Sequence, residues 1–292
     1  MARISDMLAA GTTYSFEFFP PKNHAEQATL TRALHELEPL RPSFVSVTHR
    51  GGASSRRRTF DLVTALRNVT TLEAMPHLTC VGHTRLGLAD VLIAYRKAGI
   101  ENLMALGGDH IDTGDEAVEE LRYAAELVEL ARAIGGFCIG VAAHPAGHPA
   151  SPDIESDRGF LAEKLARADF AVTQFFFDAA LYAGLLDDLA RRGVHKPVLP
   201  GIMPVTSLAS IPRMAQMGSA VPEWACARLA AAYERGGDDA VRAQGISMAT
   251  ELCRALLDMG APGLHFYTLN RSTTTREICG ALGRAPALSV AS

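Results

Sequence analysis

Long apolar runs are missing from this chain of 292 residues, and no stretch approaches the roughly 20 apolar residues of a membrane-spanning helix. The amino terminus also lacks a secretory signal's charged start and apolar core, so the expected location is the cytoplasm. Cysteine is sparse and unpaired in pattern. Cys80, Cys138, Cys226, Cys253 and Cys279 are scattered, with no C-x-x-C spacing for zinc or redox work, and read as core or helix-face thiols. Metal-ligand spacing is absent as well: there is no H-E-x-x-H, and Pro145 and Pro149 put the i, i+4 pair His144 and His148 in a loop, so no metal site is expected. An excess of positive charge is lacking. The formal net charge of −4 leaves no electrostatic footprint for nucleic acid. No Walker motif occurs, and the Gly107-Gly108 doublet does not complete G-x-G-x-x-G, which removes the usual signature of a doubly wound nucleotide-binding sheet. Low-complexity sequence is confined to the short tail 285–292, expected to be frayed.

What the chain does contain is a regular alternation. Hydrophobic residues at 48% and charged residues at 21% suit a globular protein with a large core. Runs rich in β-branched and aromatic residues, bounded by turn residues, predict eight strands at 12–19, 44–49, 75–82, 102–109, 137–145, 170–177, 197–205 and 263–270. Helical spacing of apolar residues fills the intervals 30–37, 60–68, 88–98, 118–134, 160–168, 180–192 and 225–259. Strand–helix alternation implies a parallel sheet, and eight units imply an α/β fold closed as a (β/α)8 TIM barrel, one domain over residues 1–292. The longest connection, about 206–260 between strands seven and eight, reads as a helical insertion of one short and two longer helices.

In such a barrel the active site forms at the carboxyl ends of the strands. Polar residues collect there: Glu17 in the first strand, Thr48 and His49 in the second, His77 and Thr79 in the third, Asp109 in the fourth, His144 in the fifth, Gln174 in the sixth, and Asn270-Arg271 in the eighth. Glu17 stands out, because a carboxylate among Phe16, Phe18, Phe19 and Pro20 is costly to ionise when buried; burial raises its pKa and lets it carry a proton near neutral pH. The plainer reading is a glutamate on the solvent face of an edge strand, with Phe16 and Phe18 pointing inward. Gln174 could equally bond a neighbouring loop, Arg271 could pair with a loop carboxylate, and Thr48 could cap the following turn.

Five segments carry a family resemblance: Ser15-Phe16-Glu17-Phe18-Phe19-Pro20-Pro21, Phe44-Val45-Ser46-Val47-Thr48, Pro76-His77-Leu78-Thr79-Cys80, Thr173-Gln174-Phe175-Phe176-Phe177-Asp178 and His265-Phe266-Tyr267-Thr268-Leu269-Asn270-Arg271. In this order they resemble the motifs of the methylenetetrahydrofolate reductases. The resemblance implies a (β/α)8 barrel that reduces methylene-tetrahydrofolate to methyl-tetrahydrofolate with a reduced nicotinamide as donor and, in most members, a bound FAD as intermediary. It implies that Glu17 is the general acid that opens the substrate ring, that Asp109 reads the pterin edge, and that Thr48, Gln174 and Arg271 meet the substrate. Flavin contacts are implied at or near Thr48, His49, His77, Tyr123-Ala124, His144, His148, Asp157 and Lys164.

Departures from the family pattern concentrate on those flavin positions. The family's Leu-Arg-Gly-Asp is Leu106-Gly107-Gly108-Asp109, two tyrosines are replaced by His49 and His144, and an Arg-Lys pair becomes Glu163-Lys164. Each lost charge-assisted hydrogen bond costs about 1.5–3 kcal/mol, so FAD is expected to be absent or weakly bound and hydride to pass directly from NADH as co-substrate. On the helix after Pro204-Val205, the family's glutamine and stacking phenylalanine are Ser210 and Met214, and a thioether can still cover a substrate ring. The same reaction through a bound FAD, and a non-catalytic folate-binding barrel, are the alternatives. A third, another flavin-dependent barrel enzyme, would not need both Glu17 and Asp109. NADH against NADPH stays open, with Arg56-Arg57-Arg58 as a possible 2′-phosphate cluster or a solvated turn, and so does the oligomeric state. The expected partners are small molecules: a folate and a nicotinamide nucleotide.

Overall fold

Strands buried on both faces read as near-continuous apolar runs, and this chain closes such strands on themselves. The computed structural model describes residues 2–49, 53–108 and 120–284. Among them, β1 (Thr13–Phe18), β2 (Phe44–Val47), β3 (Ala74–Thr79), β4 (Asn102–Leu106), β5 (Cys138–Ala143), β6 (Phe170–Phe175), β7 (Val198–Ile202) and β8 (Gly263–Tyr267) form a closed parallel barrel in sequence order. β8 returns to β1, with Ser15 opposite His265 and Glu17 opposite Tyr267. Every expected strand is present. Asp109 and the tail 285–292 lie outside the described residues.

Side-chain parity divides the barrel into two environments. Tyr14, Phe16 and Phe18 of β1 pack with Leu264 and Phe266 of β8 against the surrounding helices, in the cluster that also holds Leu30 of α2 (His24–Leu37). The intervening residues face the barrel interior. Its lower layer is Phe44, Met75, Met104, Cys138, Phe170, Val172 and Leu199, closed from below by Ile4 and Leu8 of α1 (Ile4–Ala10). The Ile4 amide donates to Asn102 Oδ1 at 2.9 Å and fixes this plug. Glu17 therefore points inward while Phe16 and Phe18 point outward, the reverse of the edge-strand alternative.

The outer helices are α2, α3 (Ala53–Val69), α4 (Arg85–Lys97), α5 (Ala124–Ile134), α6 (Ile154–Arg167), α7 (Ala179–Arg191), α8 (Ile211–Gln216), α9 (Glu223–Asp258) and α10 (Thr273–Ala281). Between β7 and β8 lies the expected helical insertion, the short α8 followed by α9, whose two arms meet at a break where Gly236 and Gly237 leave helical geometry. Gly237 has φ 62, a conformation that glycine adopts without a Cβ penalty. The second arm sits tightly on the β7 end: a Cβ on Gly245 would lie 1.7 Å from the Val205 carbonyl oxygen.

Candidate active site

Above the apolar floor, the barrel interior becomes polar. Glu17, 7% exposed, places Oε2 3.4 Å from His77 Nε2 of β3, His265 Nε2 of β8 and Ser46 Oγ of β2. One carboxylate oxygen thus faces three potential donors from three strands. His265 is held from behind: its Nδ1 lies 2.7 Å from Ser15 Oγ, and its ring stacks on Phe44 with centroids 6.2 Å apart. A Ser15 hydroxyl that donates to Nδ1 leaves Nε2 protonated and aimed at Glu17. The Glu17 carbonyl oxygen accepts a 2.6 Å bond from the Thr268 hydroxyl, which ties β1 to the end of β8.

Electrostatics correct one expectation. Burial alone pushes the Glu17 carboxyl up, but the charge of His77 together with the hydrogen bond and charge of His265 outweighs it and holds the group below its ordinary value. His77 is itself held down, by burial first and against the pull of Glu17. The isolated cluster therefore favours a carboxylate, so a proton for chemistry must be loaded onto the Glu17–histidine cluster rather than reside permanently on the acid. Tyr267 closes the cluster from above; its hydroxyl donates to the Thr173 carbonyl at 2.7 Å, and burial followed by the charge of Glu17 raises its pKa.

The remaining sequence candidates fall into four groups around the rim. Thr48 and Arg271 line a cavity of about 490 Å³ beyond the ends of β1, β2 and β8. His49 turns toward β3, with Nδ1 3.2 Å from the Thr79 hydroxyl, and stacks on His83, whose Nδ1 is 2.8 Å from an Arg56 guanidinium nitrogen. Gly107 follows β4 directly and abuts the turn that starts α5: a Cβ there would lie 3.3 Å from the Arg122 carbonyl oxygen, while the Tyr123 side chain is exposed and Ala124 opens the helix.

The fourth group, at the β5–α6 corner, is occupied with itself. Asp157 Oδ1 accepts from the His148 amide and the Ser151 hydroxyl, and Oδ2 from Arg158, which also donates to the carbonyls of His144 and Pro145. Lys164 Nζ donates to the Ala142 carbonyl at 2.8 Å, and burial pulls its pKa down to about 8. His144 and His148 meet edge to face at 4.6 Å, and burial lowers His144 to about 4. Glu163 beside Lys164 is exposed.

Two further candidates sit at α8. Gln174 spends its amide on the backbone, with Nε2 donating to the Met217 carbonyl at 2.8 Å and Oε1 accepting from the Phe175 amide at 3.0 Å, so it anchors the end of α8. Met214 is 3% exposed and packs with Phe175, Met203 and Val205 in an apolar cluster against which Tyr267 also packs. Sequence reasoning missed His265 and Ser46 as partners of Glu17. Strand parity was the available signal: both stand opposite inward-facing β1 residues, Ser46 across from Glu17 and His265 across from Ser15.

A profile of the family described as Methylenetetrahydrofolate reductase matches residues 3–283, nearly the whole barrel. The chain belongs to the methylenetetrahydrofolate reductase family. Within that family it is 36% identical over 276 residues to the 5,10-methylenetetrahydrofolate reductase of Pectobacterium carotovorum, covering 93% of this chain and 90% of that protein. The Escherichia coli enzyme of the same name is 35% identical over 278 residues, with 94% and 92% covered. "Methylenetetrahydrofolate reductase (NADH) 1" of Arabidopsis thaliana is 35% identical over 277 residues, 89% of this chain and 46% of that longer protein. Among solved structures, a Clostridium thermocellum protein described as binding two copies of 5-methyl-5,6,7,8-tetrahydrofolic acid superposes with a TM-score of 0.68 over 95% of this chain and 96% of that one. At 12% identity that likeness speaks for the barrel fold alone.

Proposed function

We propose that this chain reduces 5,10-methylenetetrahydrofolate to 5-methyltetrahydrofolate, taking hydride directly from NADH. The observation that carries the reading is the inward Glu17 carboxylate with His77, His265 and Ser46 around one of its oxygens. In the bond changes, the C–N bond between the methylene carbon and the leaving nitrogen breaks, its electron pair goes to that nitrogen, and a proton joins it. The carbon becomes an iminium carbon, accepts hydride from NADH, and leaves as a methyl group with NAD⁺ as the other product. One proton and one hydride are consumed.

Glu17 delivers the proton in this scheme. His77 and His265 exchange protons with it, and a substrate lying over the cluster excludes water and raises the cost of the anion, which favours loading of the acid. Once the proton has left, the carboxylate faces a cationic iminium and stabilises it. Asp109 reads the pterin edge, Thr48 and Arg271 contact the substrate from the rim, and Gln174 acts at the rim while holding α8.

The residues at the β5–α6 corner do not fit a flavin diphosphate. Asp157 and Arg158 are consumed by each other and by backbone groups, Lys164 is tied to Ala142, Glu163 adds negative charge, and burial favours a neutral His144. No step is therefore routed through flavin. NADH as donor is supported by the name of the Arabidopsis relative.

The test is the visible absorbance of the purified protein, followed by NADH oxidation with methylene-tetrahydrofolate and no added flavin. A colourless protein that turns over supports direct transfer. A yellow protein bleached by NADH would replace it with a flavin relay, and folate binding without turnover would make the barrel a binding protein.

A further inference from the structure

A serine in a strand buried on both faces has to spend its hydroxyl inside the protein. Ser15 is 0% exposed and stands one inward position below Glu17, opposite Phe44 of β2 and His265 of β8. Two acceptors are within its reach, His265 Nδ1 at 2.7 Å and the Leu264 carbonyl oxygen at 3.4 Å. A hydroxyl has one proton to give, and only the shorter contact has the length of a well-formed hydrogen bond. The reverse arrangement, Nδ1–H donating to Ser15, would turn the Nε2 lone pair on the Glu17 carboxylate 3.4 Å away and repel it. Ser15 therefore donates to Nδ1, and the ring carries its own hydrogen on Nε2.

The ring is sealed in this state. His265 is 1% exposed, stacks on Phe44 with 18° between the planes, and is met edge-on by Tyr267 at 5.3 Å. Giving its Nε2 hydrogen to Glu17 while Ser15 donates to Nδ1 would leave an imidazolate anion. Taking up a second proton would require its delivery to Nδ1 past Ser15, which is closed off from solvent. The hydrogen that His265 shares with Glu17 thus stays with the ring. His77 differs: its Nε2 is 3.4 Å from the same Oε2, it is 9% exposed, and among the described residues none hydrogen-bonds its other ring nitrogen. Burial favours its neutral form, so a proton that it takes up is readily passed on. β2 adds only the neutral Ser46, and the Tyr267 hydroxyl of β8, raised by burial, keeps its proton. Serine hydrolases run the same residue types in the opposite sense, with the serine at the substrate and the acid behind the imidazole. Here the serine is at the back, which excludes it as a nucleophile, and the carboxylate stands on the reaction side.

We propose that Ser15 is a positioning residue for proton delivery: its hydroxyl locks His265 as the Nε2–H tautomer, which makes His265 a fixed donor to Glu17 and leaves His77 as the histidine through which Glu17 is reloaded. In the reloading step a proton from solvent joins His77, the Nε2–H bond of His77 breaks as the O–H bond of Glu17 forms, and His77 returns to its neutral state. The proposal rests on the reductase reading above and refines the parts of its two histidines.

The tautomer is read by nitrogen NMR of protein isotopically labelled at histidine, with the His265 ring assigned from its loss in His265→Gln. The intact protein is expected to show Nε2 protonated and Nδ1 unprotonated throughout the active pH range. Ser15→Ala removes the donor, and Ser15→Cys keeps nearly the same volume with a weak donor, so the test survives if alanine unsettles the fold. Both variants are expected to populate the Nδ1–H form. Glu17 then loses a fixed donor and becomes a weaker acid, so the alkaline limb of the single-turnover profile moves to higher pH and the rate falls about tenfold. The folate Kd and the KM for NADH stay within about twofold. Free imidazole is expected to restore part of the rate of His77→Ala, since a shuttle can be replaced from solution, and none of that of His265→Ala. An Nδ1–H ring in the intact protein, a Ser15→Cys profile that does not move, or imidazole rescue of His265→Ala alone would overturn the proposal. If the intact protein turns over no folate, the reductase reading fails by itself; the ring resonances still decide the Ser15 lock, with Nε2–H as the supporting result and Nδ1–H as the refuting one.

Discussion

Replacing Glu17 by glutamine changes the charge of one buried group and little else. The amide has nearly the same volume, so the packing of β1 between β2 and β8 is retained, and its oxygen can still accept from Ser46 or a histidine. The three contacts to Oε2 are each 3.4 Å, long for charge-assisted bonds, so the stability lost with the charge is modest, about 1 kcal/mol. Catalysis is affected far more, because a glutamine can neither deliver a proton nor stabilise the iminium. Loss of a positioned general acid lowers rate by about 10²–10⁴-fold. The assay is single-turnover NADH oxidation with saturating methylene-tetrahydrofolate across a pH series, with folate affinity measured separately by titration. The expected result is a single-turnover rate reduced within that range, a folate Kd near that of the intact protein, and loss of the alkaline limb of the pH profile, where the acid would lose its proton. Turnover within fivefold of the intact protein would remove Glu17 from the chemistry, however suggestive its surroundings.

His265→Gln keeps bulk on Phe44 but breaks the Ser15–His265–Glu17 chain; kcat is expected to fall on the order of tenfold with a displaced pH profile and unchanged KM for NADH, whereas an unshifted profile would mark His265 as structural only. Acid sensitivity follows from His83 and His144, whose folded pKa values of about 4 lie below the unfolded value of 6.5. Their neutral forms are favoured by folding, so their contribution is present above pH 6.5 and is lost as pH falls toward 4, at up to roughly 1.4 kcal/mol per pH unit for each group. Thermal melts over that window should show a falling Tm, and His83→Gln should flatten the slope. Gly245→Ala places a methyl 1.7 Å from the Val205 carbonyl oxygen and should destabilise the protein by about 1–3 kcal/mol or more, read in urea unfolding; an unchanged midpoint would contradict the tight seating of α9 on β7.

The barrel was legible because strand and helix periods alternate cleanly; seven of the eight predicted strand ranges contain the observed strand whole, and the eighth, 75–82, misses only Ala74 of β3. Two helices escaped: α1 has seven residues and buries only Ile4 and Leu8, too few to show a period, and α10 begins with a threonine run that reads as loop. In the site, Glu17 was visible as a charge set among aromatics. Its state was not, because the two imidazoles that hold it ionised come from strands far away in sequence, and the distance between side chains across a barrel is not written in local pattern. Gln174 and Met214 were assigned to the substrate by the family resemblance alone; whether they face the cavity or the α8 cluster depends on how the insertion packs, which Gly245 and Val205 decide at long range. Arg56-Arg57-Arg58 was a single basic run in sequence, yet the α3 surface separates it into a histidine contact, an exposed pair with Asp61, and the cavity-lining Arg58.

Direct hydride transfer is tested most sharply with NADH deuterated at the transferring position. Protein without flavin is mixed with methylene-tetrahydrofolate and this cofactor in ordinary water, and the methyl group of the product is analysed by mass. The account predicts one deuterium retained per methyl formed, since the hydride never passes through a group that exchanges with solvent. A product without deuterium, or turnover that appears only when FAD is added, would contradict it.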